Sequence, residues 1–461
     1  MKLEKQNIPV ATVCTDEFFA LGKAEAEFLG MPGLPIAAIP HPMAGQSSEQ
    51  VTAIASQALG EIVHILTTKS ELLESEYKNK TVKTKKKSKL KHKSLFGDEF
   101  SNDEATDKLK APDSLEAVNR IFYFRGWTDG LPIIPPTEAR VFRMIGPFDR
   151  EPKTIVGTIA PKHGEATLEK IAINAVMAGC LPEHFPLIIA ATRAMIQETF
   201  NLFALQTTTH PCAVLLLFNG PLVDELDINY SYNAMAQGTL SNATIGRAIR
   251  LLLINVGGAS PGVMDRATHG SPAKFSFCFA ENEAQNPWDP LHVERGFAKS
   301  LSTVTVMGAE SPHNVNDHGS SSGEEILFTI SGVLATPGNN NVYLGGEPMV
   351  VLGPEHAAII ARDGFSKQAV KQYLFEKARV ALTDISKGNL ERFRRNHPQR
   401  FSALGDRDKV PLVDKSEEII VVVAGGMGRH SMVIPTFGGH TRAVTMPITD
   451  SNGNPIVCDE R

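Results

Sequence analysis

Between Lys78 and Lys93 the chain carries nine lysines, and Asp98–Asp107 then turns acidic. Charge blocks without apolar periodicity have nothing to bury, so this stretch reads as a disordered linker. It divides the 461 residues into two folding units, expected at 1–77 and 113–461, with the linker over 78–112. The run Lys85–Lys93 (KKKSKLKHK) can also be read as a nuclear-import or nucleic-acid patch, but no aromatic residue interleaves it. A net charge of −5 gives no general reason to expect nucleic acid. With 42% hydrophobic and 21% charged residues over 461 positions, the chain has the composition and the length for sizeable cores.

No apolar run approaches the roughly 18 residues that a membrane-spanning helix needs; Ile419–Ala424 and Leu251–Ile254 are among the longest. Asp16 and Glu17 interrupt the start before any long apolar stretch, so no secretory signal is expected. Cys14, Cys180, Cys212, Cys278 and Cys458 are odd in number and widely spaced, with no C-x-x-C pair. That pattern argues against a disulfide framework or a zinc ribbon and favours a reducing, cytoplasmic location.

The first unit alternates strand and helix. Pro9–Cys14 is a strand-type run and Asp16–Leu29 is helical. Gly30-Met31-Pro32-Gly33 ends that helix, Leu34–Pro40 is a second strand before His41-Pro42, and Glu49–Leu66 is a second helix. Two parallel-type strands and two helices are too little for a closed sheet, so this is an incomplete parallel-sheet domain. Met1–Gln6 reads like the tail of a helix running straight into a strand, and the N-terminus is expected to be truncated.

In the second unit, helices are predicted at Leu115–Phe124, Glu165–Ala178, Pro186–Glu198, Thr244–Asn255, Glu324–Leu334 and Ser366–Val380. Strands are predicted at Ala213–Phe218, Thr303–Met307, Met349–Leu352 and Ile419–Val423. Helices alternating with all-apolar strands give a larger layered α/β domain; no fixed-period repeat is visible.

The segments between these elements are rich in His, Asn, Asp, Glu and Gly, and strand-end loops are where catalytic groups usually sit. His210 and Cys212 precede a buried-type strand. Arg266 and His269 follow Gly257-Gly258. Glu281 lies beyond Phe277–Ala280, with Arg295 downstream; His313, Asp317 and His318 follow another strand. Gly425-Gly426-Met427-Gly428 carries Arg429 and His430, but no helix N-terminus clearly follows, so it is no dinucleotide fingerprint. His313-x-x-x-Asp317-His318 with His292 or His269 could supply three ligands to Zn²⁺, Mn²⁺ or Fe²⁺, though no diagnostic spacing occurs. Cys212 beside His210 is the better thiol candidate; Cys278 between two phenylalanines and Cys180 after an apolar helix read as packing.

Leu29-Gly30-Met31-Pro32 with Ile39-Pro40-His41-Pro42 resembles the UGSC-type (seleno)protein family, named for a selenocysteine or cysteine followed by Gly-Ser-Cys. The larger unit resembles a domain associated with the same proteins. The residues that carry this likeness are Asp129-Gly130-Leu131-Pro132, Gly164-Glu165-Ala166-Thr167, Thr208-Thr209-His210-Pro211 and Pro312–His318. The resemblance implies a thiol- or selenol-dependent redox centre. Likeness in style to the selenoprotein subunits of glycine and proline reductases implies reductive cleavage of a carbon–heteroatom bond. This chain, however, contains no U/C-G-S-C motif. A UGA selenocysteine codon read as a stop would produce that start; translating the upstream DNA in frame decides it.

The resulting expectation is a thiol/selenol-dependent redox enzyme acting on a small molecule, homo-oligomeric and without membrane attachment. His210, Cys212, His313, Asp317 and His318 carry catalysis; Arg266, His269, Glu281, Arg295, Arg429 and His430 bind substrate. The residues name no cofactor. The rivals are a metal-dependent hydrolase or lyase and a non-catalytic binding subunit of a redox complex. The loops at His210, His269, Glu281 and His313 are expected to line one pocket.

Overall fold

The computed structural model describes residues 8–43, 46–82, 108–148 and 151–456. Met1–Gln6, the Lys85–Lys93 patch and Cys458 lie outside the described residues.

The first unit is a parallel two-stranded sheet, β1 (Thr12–Thr15) beside β2 (Ile36–Ile39), with Thr12 opposite Ile36. Helix Phe19–Phe28 makes the crossover, and helices Ser48–Thr67 and Ser70–Lys78 follow. The long helix starts on a capping box: Ser47 accepts from the Gln50 amide and Gln50 reaches back to the Ser47 amide. Ala37, Ile65, Leu73 and Tyr77 form the small core, so the unit closes at Tyr77. The last helix, whose final residue Lys78 begins the charge block, is the element that the sequence reading missed.

The second unit opens with helices Leu115–Phe124 and Glu138–Ile145, followed by an antiparallel hairpin of β3 (Ile155–Ile159) and β4 (Gly164–Thr167). Its centre is two four-stranded sheets. One holds β5 (Ala213–Asn219), β6 (Cys278–Ala280) and β7 (Thr303–Ala309). The other holds β8 (His313–Asn316) and β9 (Met349–Leu352). A short antiparallel pair follows, β10 (Arg379–Ala381) with β11 (Lys409–Pro411). Next come β12 (Ile420–Val423) and β13 (His430–Ile434) in the second sheet, and β14 (Val444–Pro447), which returns to the first. The orders are β14-β7-β5-β6 and β12-β9-β13-β8.

The sheets lie face to face. Leu215, Leu217, Phe279 and Met307 meet Met349, Val351, Val422 and Ile434 between them. The alternate residues Val214, Leu216 and Phe218 turn outward against helices Leu168–Ala178, Phe185–Met195 and Leu240–Asn255. Val350, Leu352, Val421 and Val423 likewise meet helices Gly323–Leu334, Pro354–Arg362 and Lys367–Lys377. The result is a four-layer helix–sheet–sheet–helix stack. It explains why β5 is apolar at every position but the last: both of its faces are buried, each Leu contributing about 1.5–3 kcal/mol.

The two sheets share one connectivity. In each, a central strand pairs parallel on one side (β5 with β6, β9 with β12) and antiparallel on the other (β5 with β7, β9 with β13). The fourth strand is exchanged: β8 follows β7 in the chain but pairs with β13, and β14 follows β13 but pairs with β7. The unit is thus two β-α-β-β-β halves that swap their last strands, a repeat that no sequence period exposes. The edge strand β8 carries His and Asn residues, which is why it read as a loop in the sequence.

Candidate functional site

Pairing of Ala213 with Ala309 brings the residue after β7 next to the turn before β5. That turn is built by Thr208, whose hydroxyl accepts from the His210 amide at 3.1 Å before Pro211 starts the strand. His210 Nε2 lies 2.6 Å from Glu310 Oε1. A nitrogen facing a carboxylate carries the proton, which leaves Nδ1 as the lone-pair nitrogen; Nδ1 is buried without a protein partner. Phe437 packs 5.6 Å from the imidazole. A histidine whose tautomer is fixed by a carboxylate can accept a proton and be stabilised as imidazolium, which suits acid–base chemistry.

The neighbouring loop is tied to this turn, because the Thr268 amide and hydroxyl both donate to the Thr209 carbonyl. Beneath it, Asp265 takes Lys274 Nζ on both oxygens, at 2.8 and 2.7 Å, with Arg250 4.0 Å away. Arg266 leaves this loop for the first unit: it donates to Glu17 Oε2 at 2.5 Å and lies over the Phe18 ring. Phe18 in turn touches His41, which sits at the C-terminal end of β2 with Thr15 Oγ1 3.2 Å from its Nδ1. Asp16 accepts from the His41 amide at 3.1 Å. His163 completes the junction, stacked on Phe28 and 3.8 Å from Glu25. Burial pushes its pKa down, and Glu25 partly opposes this.

The unit that Arg266 holds is the part of the chain with relatives. Residues 1–68 match the UGSC family. No curated protein and no solved structure matches the chain. The family match ends before the large unit, whose association with UGSC proteins rests on resemblance alone. The strand ends of this UGSC-like domain thus meet the loop that is hydrogen-bonded to the His210 turn.

The remaining expected site residues fall into separate groups, so the single-pocket expectation is corrected. Glu281 follows β6 at the opposite end of the first sheet from His210, ~20 Å along the seven residues of β5. His313, His318 and His430 are exposed along β8 and its neighbour β13, with His318 Nε2 3.1 Å from His430 Nε2. Arg429 donates to the carbonyls of His318 and Ser320. Burial alone would raise the Asp317 carboxyl; hydrogen bonds from Thr329 and Ser320 outweigh it and hold the pKa below the usual range. Asp317 thereby ties the loop at Ser320 to Thr329 in helix Gly323–Leu334, which Ser322 caps. His269 is exposed near the His210 turn, and Arg295 is spent on Ala443, Thr445 and Glu347. Among the described residues no three His, Cys, Asp or Glu side chains form a group that could hold a metal ion.

Cys212, expected as the nucleophile, is 1% exposed, and burial pushes its thiol up to about 12. Burial does the same to Cys180, also to about 12, and raises Cys278 as well. All three are neutral packing thiols, because an apolar pocket cannot solvate a thiolate. Alkylation of the native chain at pH 8, read peptide by peptide by mass spectrometry, should leave these three unmodified until denaturant is added. At a pKa of about 12 the thiolate is about a thousandfold scarcer than in free cysteine. Rapid native labelling of Cys212 would return it to the nucleophile candidates.

Glu310, His41 and His163 were missed. Only strand register or the docking of the two units brings them to the junction, and sequence spacing reports neither.

Proposed function

We propose that the chain is a thiol- or selenol-dependent redox enzyme acting on a small molecule. In this reading the UGSC domain belongs to the redox half of the reaction, and the large unit supplies acid–base groups. The supporting observation is the Arg266–Glu17 junction, which brings the strand ends of the UGSC domain to the loop hydrogen-bonded to the His210 turn. The three neutral large-unit thiols fit a division of labour in which the redox group is not theirs. The reaction class that fits is reductive cleavage. A carbon–heteroatom bond breaks, a dithiol is oxidised to a disulfide with loss of two electrons, and its two protons complete the C–H bond and the leaving heteroatom. His210, held by Glu310, is the group for that proton transfer.

The full chain, given dithiothreitol and a panel of small amines, ethers and thioethers, is expected to cleave at least one substrate while dithiothreitol is consumed one for one. Arg266→Glu, which sets two like charges against each other at the junction, should cut that turnover at least tenfold. Cleavage that proceeds equally without reductant would replace this reading with a hydrolase or lyase. Binding of a panel member without any turnover would replace it with a binding subunit.

A further inference from the structure

At the other end of the first sheet, beyond β5 and β6, lies a cavity of about 210 Å³ lined by Gly220, Pro221, Val223, Asp224, Tyr230, Glu281, Glu283, Ala284 and Lys299. Crevices beyond the C-terminal ends of parallel strands are common ligand sites in α/β folds. Three carboxyl groups line this one, against a single cationic side chain, Lys299. Pro221, Val223 and Ala284 give it an apolar wall.

The fold does not require these carboxylates. The Glu281 amide donates to the Phe218 carbonyl as the Ala424 amide donates to Leu352, so Glu281 and Ala424 are equivalent positions of the two halves. One half places alanine there; the other buries a glutamate that is 1% exposed. Burial raises its pKa, with Lys367 and donors from Leu291 and Asn219 opposing.

Two buried polar atoms beside the cavity also lack a hydrogen-bond partner. Glu283 Oε1 accepts from Asn219 Nδ2 and from the Gly220 amide. His292, with no exposed surface, turns Nε2 toward the Lys299 carbonyl at 3.4 Å. Its Nδ1 stands 3.7 Å from Glu283 Oε1, beyond hydrogen-bond distance, and has no other partner. Asn219 Oδ1, also fully buried, is unpartnered as well. Orphaned groups of this kind are uncommon in a finished interior. Here both adjoin Glu283, which lines a space where three carboxyl groups face one lysine.

We propose that this cavity binds a small organic ammonium compound, its N–H donors meeting Glu283 and Asp224 and its alkyl part lying on Pro221, Val223 and Ala284. Tyr230 hydrogen-bonds Asp224 and steadies that carboxylate at the mouth. The proposal is independent of the redox reading, since the cavity and the His210 junction occupy opposite ends of β5.

Calorimetric titration of the full chain with propylammonium chloride tests it, with propanol as the neutral isostere and Mg²⁺ or Ca²⁺ alone as the inorganic alternatives. Propylammonium is expected to bind saturably and propanol not to. Glu283→Gln should weaken binding tenfold or more, and so should Asp224→Asn, an exposed position at which folding is not at stake. Absence of propylammonium binding to the native chain overturns the proposal. So does equal binding of propanol, saturation by a divalent ion that excludes propylammonium, or an affinity unchanged in both variants.

Discussion

Asp265→Ala is expected to destabilise the large unit by about 3–5 kcal/mol, the cost of removing one member of a buried ion cluster. Asp265 is 8% exposed and is the only carboxylate that the described residues place against both Lys274 and Arg250. Burial already pushes the pKa of both cations down, and Asp265 opposes it in each case. Without that carboxylate, two desolvated cations face each other. Arg250 keeps only the Lys274 carbonyl and Gln206 Oε1 as acceptors, and the Ala267 amide loses its cap. At ~2–4 °C per kcal/mol for a unit of this size, thermal unfolding should move down by roughly 10 °C. The double change Asp265→Leu with Lys274→Met should recover only part of the loss, because Arg250 stays buried without its carboxylate. A loss below ~1 kcal/mol in Asp265→Ala would show that water reaches the cluster and that the His210 loop is held by other means.

What was legible in the sequence was what local physics determines. Helix Leu115–Phe124 and strand Met349–Leu352 were placed to the residue, because Ser114 caps the one and a short all-apolar run defines the other. Ser366 was identified as a cap and accepts from the Ala369 amide. β8 and β13 were read as functional loops. Their His and Asn residues are exposed, and strand character there comes from partners more than a hundred residues away in the chain. The swapped fourth strands follow from the same cause, since each pairs outside its own half. The candidate site divided in the same way. His210 stood out by its position before a buried strand, but Glu310 becomes its partner only through the β5–β7 register. Arg266 was expected to hold a substrate anion and instead holds Glu17, a contact between units that no spacing encodes. Cys212 failed as a nucleophile because burial, which decides whether a thiol ionises, is a tertiary property.

His210→Ala is expected to lower kcat about 10²–10⁴-fold for whichever substrate the dithiothreitol-driven screen identifies, the range for loss of a positioned acid–base group. The effect should fall on kcat more than on KM, because a proton in flight is an interaction of the transition state and not of the bound substrate. Glu310→Gln keeps a hydrogen-bonding group near Nε2 but removes the charge that stabilises the imidazolium, so a smaller loss of the same kind is expected. Added imidazole should restore part of the activity of His210→Ala, which a purely structural histidine would not allow. The stability of the variant serves as the control: His210 is a partly exposed turn residue, and its substitution should leave the unfolding midpoint close to that of the native chain. If His210→Ala turns over within about twofold of the native chain, the pair with Glu310 is a strut between β5 and β7. The acid–base group then has to be sought at His41 or His163, the other imidazoles at the junction with the UGSC-like domain.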